Sequence, residues 1–281
     1  AVYGPIRSNP RPGRRVLQMP AGRRRERKII VKGNRLQTKT LTNPDKAEFI
    51  LYAAFTALNI ISLIRSIVLH NTLYILSSFA GMFLIYMPRL AERVMKITIS
   101  LDLKCAYMAL SVGGPVLGNV FKFYHIVPFW DKYMHGLSGY AFAALGYCLP
   151  DLIEKKEGGH SWQMKVAFAF CFSLMIAVMW EFFEYFLDLL FHMDMQNDTL
   201  ITDISTYMLG ERVGEIGTIS DITSVVINGE PLPVNGYIDI GLIDTMDDMI
   251  TCSFGTLIYC LVVKFKPERR KFSGIWPKAA A

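Results

Sequence analysis

The chain has 281 residues, of which 52% are hydrophobic, 12% aromatic and 19% charged. So much apolar surface excludes intrinsic disorder, and so few charges fit poorly with a soluble domain, which is about one-quarter charged. The formal net charge of +6 sums opposed regions, and five cysteines without CxxC spacing argue against a zinc ribbon or disulfide scaffold.

Residues 1–46 carry thirteen Lys or Arg against Glu26 and Asp45, a balance of +11 that leaves −5 for the rest of the chain. The densest run is Arg23-Arg24-Arg25-Glu26-Arg27-Lys28, downstream of Pro5, Pro10, Pro12 and Gly13. This segment is predicted to be a largely disordered basic tail whose partner is anionic membrane lipid. Nucleic acid is not expected, because no aromatic residues interleave with the arginines and no base-reading fold follows.

From residue 47 the character changes. Apolar stretches follow at 47–69, 72–88, 104–122, 134–152, 164–191 and 241–263, each near the ~20 residues that cross a bilayer as a helix. The expected fold is all-α: a polytopic membrane bundle of about six transmembrane helices spanning residues 47–263. Basic residues orient it. With the N-terminus inside, the cytoplasmic side receives residues 1–46, the Arg89–Lys104 loop, the Lys155–Lys165 loop and a basic tail at 264–281. These hold 26 of the 30 Lys and Arg. A multi-pass protein of the cell membrane with both termini cytoplasmic is expected.

Residues 192–240 form an acidic extracytoplasmic loop with eight acids and one base, Arg212. Its Asn228-Gly229 and Asn235-Gly236 turn signals lie beside β-prone runs and predict a small β-hairpin or flap between helices 5 and 6.

Carboxylates within membrane helices are costly and need a partner or a job. Asp131 and His135 are four apart, hence on one helical face. Glu181, Glu184 and Asp188 follow i, i+3, i+7 spacing, while Asp244 and Asp248, with Asp247 beside them, open the last stretch. Their depths coincide. The fifth stretch begins inside near Lys165, and sixteen residues at ~1.5 Å each carry Glu181 into the outer half, level with the starts of the fourth and sixth.

Such a cluster in low dielectric repels itself or protonates unless a cation joins it. Oxygen ligands plus one imidazole suit a divalent metal ion (Mn, Mg, Ca, Fe or Zn), with Asp131, His135, Glu181, Glu184, Asp244 and Asp248 as ligands and Asp188 or Asp247 supporting them. A proton-sharing cluster that only holds helices together is the other reading. Metal is favoured because no basic residue is expected at this depth, Arg65 being the one possible counter-charge.

Asp131-Lys132-x-x-His135-x-x-x-Gly139, then Glu181-x-x-Glu184, then Asp244-x-x-x-Asp248-Met249 with Gly255, resembles the YjdF-like family of bacterial integral membrane proteins over roughly residues 120–263. The resemblance implies an architecture and key positions, and no reaction. The long acidic insert and the basic tail depart from it.

Gly136-Leu137-Ser138-Gly139 imitates the GxSG of rhomboid proteases, but residues 241–263 hold no His to act as base. The functional expectation is a metal-dependent hydrolase acting on a lipid or lipid-linked substrate from the outer face. The alternatives are a cation- or proton-coupled transporter or channel, and a non-catalytic membrane partner subunit.

Overall fold

A computed structural model describes residues 43–154, 159–266 and 275–277. Most of the basic tail expected at 1–46 therefore lies outside the described residues, as does most of the tail at 264–281.

The described residues are mostly helical. Helices α1 (Asn43–Val68) and α2 (Thr72–Ile85) are joined by a tight turn in which His70 has φ 51° and the Asn71 side chain accepts a hydrogen bond from the Tyr74 N–H at 3.1 Å. That bond satisfies one of the free N–H groups at the start of α2. Helix α3 (Met87–Val94) starts with Pro88 in its first turn, where the missing N–H costs nothing.

Helix α4 (Leu101–Val112) runs into a π-helical segment, Gly113–Val120. The widening falls at Gly113-Gly114-Pro115, where proline removes an N–H from the helical ladder. Gly113 leaves room for Met134, and Gly118 for the ring of Tyr124. After a short helix, α5 (Phe123–Ile126), come the three longest partners of the site: α6 (Trp130–Glu154), α7 (Trp162–Phe191) and α8 (Leu242–Phe265).

Each of the six apolar stretches coincides with helical structure. Among the described residues, four helical segments are long and apolar enough to cross a membrane: Lys46–Val68, Thr72–Val94, Trp162–Phe191 and Leu242–Phe265. Helix α6 has the length, and residues 133–150 carry no Asp, Glu, Lys or Arg, but His135, Ser138, Pro150 and its glycines and tyrosines dilute its apolar character. Helix α4 reaches span length only with its π-helical extension.

The helices carry an apolar exterior, and small polar side chains are buried among the apolar core residues. On α7, Met175, Phe182, Phe183, Phe186 and Leu190 face outward. Buried instead are Asn59, Ser62, Ser66, Ser78, Ser173 and Thr256. An apolar exterior with small polar groups buried between helices is what lipid as solvent selects, because helices there associate through close packing and hydrogen bonds.

Two seams illustrate this. Ser78 on α2 meets Ser62 at 2.7 Å and Ser66 at 3.2 Å on α1. Between α6 and α8, a side chain on Gly139 would strike the carbonyl of Cys252, and one on Gly255 the carbonyl of Gly136. The backbones therefore approach closely. Ser173 of α7 joins them, donating to the Gly139 carbonyl at 3.0 Å and lying 2.8 Å from the Thr256 hydroxyl.

Ion pairs mark the ends of the bundle away from the acid cluster. Lys104, buried, meets Glu48 at 3.0 Å and Glu92 at 2.9 Å, and Lys165 meets Asp151 at 2.6 Å.

The loop between α7 and α8 contains three antiparallel two-stranded pairs rather than one hairpin: 200–201 with 237–238, 204–206 with 217–219, and 226–227 with 230–231. The last closes around Asn228-Gly229, with φ of 54° and 91°. Two successive left-handed residues are what a tight two-residue hairpin needs. No hairpin closes at Asn235-Gly236; Gly236 instead leads into the strand paired with Leu200–Ile201.

Candidate metal centre

The first turns of α6, the C-terminal half of α7 and the first turns of α8 meet at one level of the bundle. The close α6–α8 approach at Gly139 and Gly255 sets their separation. Helical periodicity then aims Asp131 and His135, Glu181 and Glu184, and Asp244 and Asp248 at a common centre.

The six residues named from the sequence fall into two overlapping groups. His135, Glu181, Glu184 and Asp248 are all buried, with ligand atoms within 4.8 Å of one another. Asp131, Asp244 and Asp248 form the second group within the same limit. Asp248 is common to both and is 1% exposed. The imidazole sits centrally: Nε2 lies 3.7 Å from both Asp131 and Asp248, and Nδ1 is 3.9 Å from Glu181.

The first group is under-satisfied. Both carboxylate oxygens of Glu181, and Oδ2 of Asp248, are buried without a hydrogen-bond partner among the described residues. Glu184 receives one bond, from the Trp180 indole N–H at 2.8 Å. Buried carboxylate oxygens left unpaired cost several kcal/mol, roughly, unless a cation meets them. One imidazole and three carboxylates within a few ångströms form a donor set suited to a divalent ion.

The second group departs from expectation. The sequence predicts no base at this depth beyond Arg65, but Lys132 Nζ donates to Asp244 at 2.6 Å and to Asp248 at 2.8 Å. Arg65 instead donates to the Val120 carbonyl at 3.3 Å. The missed signal was spacing: Lys132 is three residues before His135 and shares its helical face.

Of the two supporting residues expected, Asp188 holds the loop. Its carboxylate accepts from the backbone N–H groups of Met195 at 2.7 Å and Gln196 at 2.9 Å. The adjoining Asn197 donates its backbone N–H to Asp244 at 2.9 Å. Asp247 is exposed and belongs to neither group. Neighbouring Asp194 feels the negative field: burial first, then the charges of Asp198, Asp188 and Asp244, push its carboxyl above the ordinary range.

Beside the centre lies a cavity of about 400 Å³ between the α4–π segment, α6 and α7. Leu110, Phe142 and Ile176 give it apolar walls, while Asp131, His135 and Tyr124 supply polar groups. Ser138, the serine of the protease-like motif, donates to the backbone carbonyl of His135 at 2.8 Å.

Apolar helices of membrane-crossing length around a buried carboxylate–imidazole cluster define a helical integral membrane protein. Residues 47–269 match the family described as "Predicted membrane protein (DUF2238)", and the chain belongs to that family. No curated protein and no solved structure matches it.

Proposed function

We propose that this chain is a YjdF-like, six-span protein of the cell membrane with both termini cytoplasmic, built around an outward-facing divalent-metal centre. Its activity is hydrolysis of an ester or phosphoester in a lipid or lipid-linked substrate. The observation that carries the metal reading is the set of unpartnered, buried oxygens of Glu181 and Asp248 beside His135 and Glu184.

A bound divalent ion would supply a Lewis acid and an activated water. The chain's residues do the rest. His135, Glu181, Glu184 and Asp248 would hold the ion, Asp131 and Asp244 complete the acidic wall, and Lys132 offsets part of their charge. The apolar cavity supports a lipid substrate, since it reaches Asp131 and His135 from within the bundle. The basic tails would face anionic lipid, and no nucleic acid takes part.

The alternative, a transit path for cations or protons, calls for unpaired acids through the full depth of the bundle. At the opposite end, Asp151, Glu48 and Glu92 are matched by Lys165 and Lys104, which counts against it. A non-catalytic partner subunit would use the acidic loop as its contact surface.

Elemental analysis of purified protein tests the centre. A bound divalent metal is expected in the wild type and its loss in a Glu181→Ala, Glu184→Ala double variant. Absence of metal from both would leave the acids as a proton-sharing cluster.

A further inference from the structure

Five carboxylates gather here against one ammonium, and that ammonium is not randomly placed. Lys132 Nζ lies 2.6 Å from Asp244 Oδ1, 2.8 Å from Asp248 Oδ1 and 3.8 Å from Asp131 Oδ2. These are the three residues whose oxygens come together as the second ligand group. Asp248 straddles the two halves. Its Oδ1 meets Lys132, while its unpartnered Oδ2 faces His135 at 3.7 Å. With an ion in the first group, Asp248 would offer one oxygen to each of two neighbouring cations, the arrangement of a two-metal site, in which the ions stand ~3.5–4 Å apart.

We propose that the Lys132 ammonium is the built-in second cation of a two-cation centre, so that the chain binds one divalent ion rather than two. The inference rests on the metal reading above. The exchangeable ion belongs to His135, Glu181, Glu184 and Asp248. The Asp131–Asp244–Asp248 half is closed to metal by Lys132, whose charge arrives covalently on α6 and cannot be removed by a chelator. Asn197 secures the arrangement from the loop, donating its N–H to Asp244 Oδ2 and leaving Oδ1 to the lysine.

Removing the ammonium frees a three-carboxylate position for a second ion. Full-length protein in detergent is loaded with Mn²⁺, freed of excess, and its bound manganese is counted by elemental analysis and examined by electron paramagnetic resonance. The wild type is expected to hold one equivalent with the spectrum of an isolated ion. Lys132→Met, which keeps most of the side-chain volume, is expected to hold two equivalents with the spectrum of a spin-coupled pair. Lys132→Gln serves as a second variant should Lys132→Met fold poorly.

Two equivalents in the wild type would overturn the proposal, and they do so without any variant. One equivalent in the wild type and in both variants would overturn it too, leaving the metal centre standing. No manganese in any form would overturn the metal reading itself and this inference with it.

Discussion

Single carboxylates in this chain do different work according to the donors they meet. Asp239 accepts from the N–H groups of Thr199 at 2.9 Å, Gly241 at 3.2 Å and Ile243 at 2.7 Å, so it caps the start of α8 and ties down the end of the loop. Burial opposes its ionisation, but these N–H bonds, Ile243 foremost, outweigh it and hold the carboxyl below the ordinary range. Its contribution is therefore present above the ordinary carboxylate pKa and is lost as pH falls through the depressed native value. Asp239→Ala is expected to cost about 1 kcal/mol, as caps do. Thermal unfolding should show a gap from wild type at pH 7 that narrows in strong acid; a gap constant with pH would exclude this role. At the same scale, the acids of the centre were legible because charge in an apolar run stands out. Lys132 was not, since a base at a helix start reads as solvated until the fold turns it inward. Asp188 was legible as a polar residue on the right face, but its partners lie seven and eight residues on, in a loop that no periodicity describes.

Helices pack here through absences of side chain as much as through their presence. The α6–α8 contact depends on Gly139 and Gly255 lying against opposing carbonyls, and a backbone cannot move aside as a flexible side chain can. Gly255→Val should therefore spread the two helices, at about 1–3 kcal/mol or more for overpacking, and separate Asp248 from His135. Gly136→Ala is the control, because its new Cβ would make ordinary contact with the Thr251 methyl at 3.5 Å. A lower melting temperature in detergent and loss of metal are expected for the first alone; equal effects in both would refute the account. The length and apolarity of six stretches located the long helical segments, because length and hydropathy decide that by themselves, but not the short α5. They did not reveal that α4 continues as a π-helix or that the flap comprises three small sheets. Both depend on contacts made elsewhere, such as Met134 against Gly113, or strand 200–201 against 237–238.

For the whole molecule, the charge asymmetry becomes a statement about sides. The acid centre and the acidic loop share one end of α6 and α7, and the Lys165–Asp151 pair marks the other. We expect a Cys at Val213, fully exposed in the loop, to react with a membrane-impermeant thiol reagent on intact cells. A Cys at Ser161, at the start of α7, should react only after permeabilisation; both would be placed in a background lacking the five native cysteines. The reversed pattern would invert the proposed orientation.

The closure of the loop on itself has a further consequence. Thr199 and Asp239 bond to each other in both directions, N–H to carboxylate and N–H to carbonyl. With the adjoining strand pair, they close the ends of the loop on each other, like a clasp above a pendant. The entropy of closing such a loop grows only logarithmically with its length. Evolution can therefore lengthen, shorten or replace the pendant at little cost to the residues beneath the clasp. The loop is free to diverge while the centre keeps its geometry.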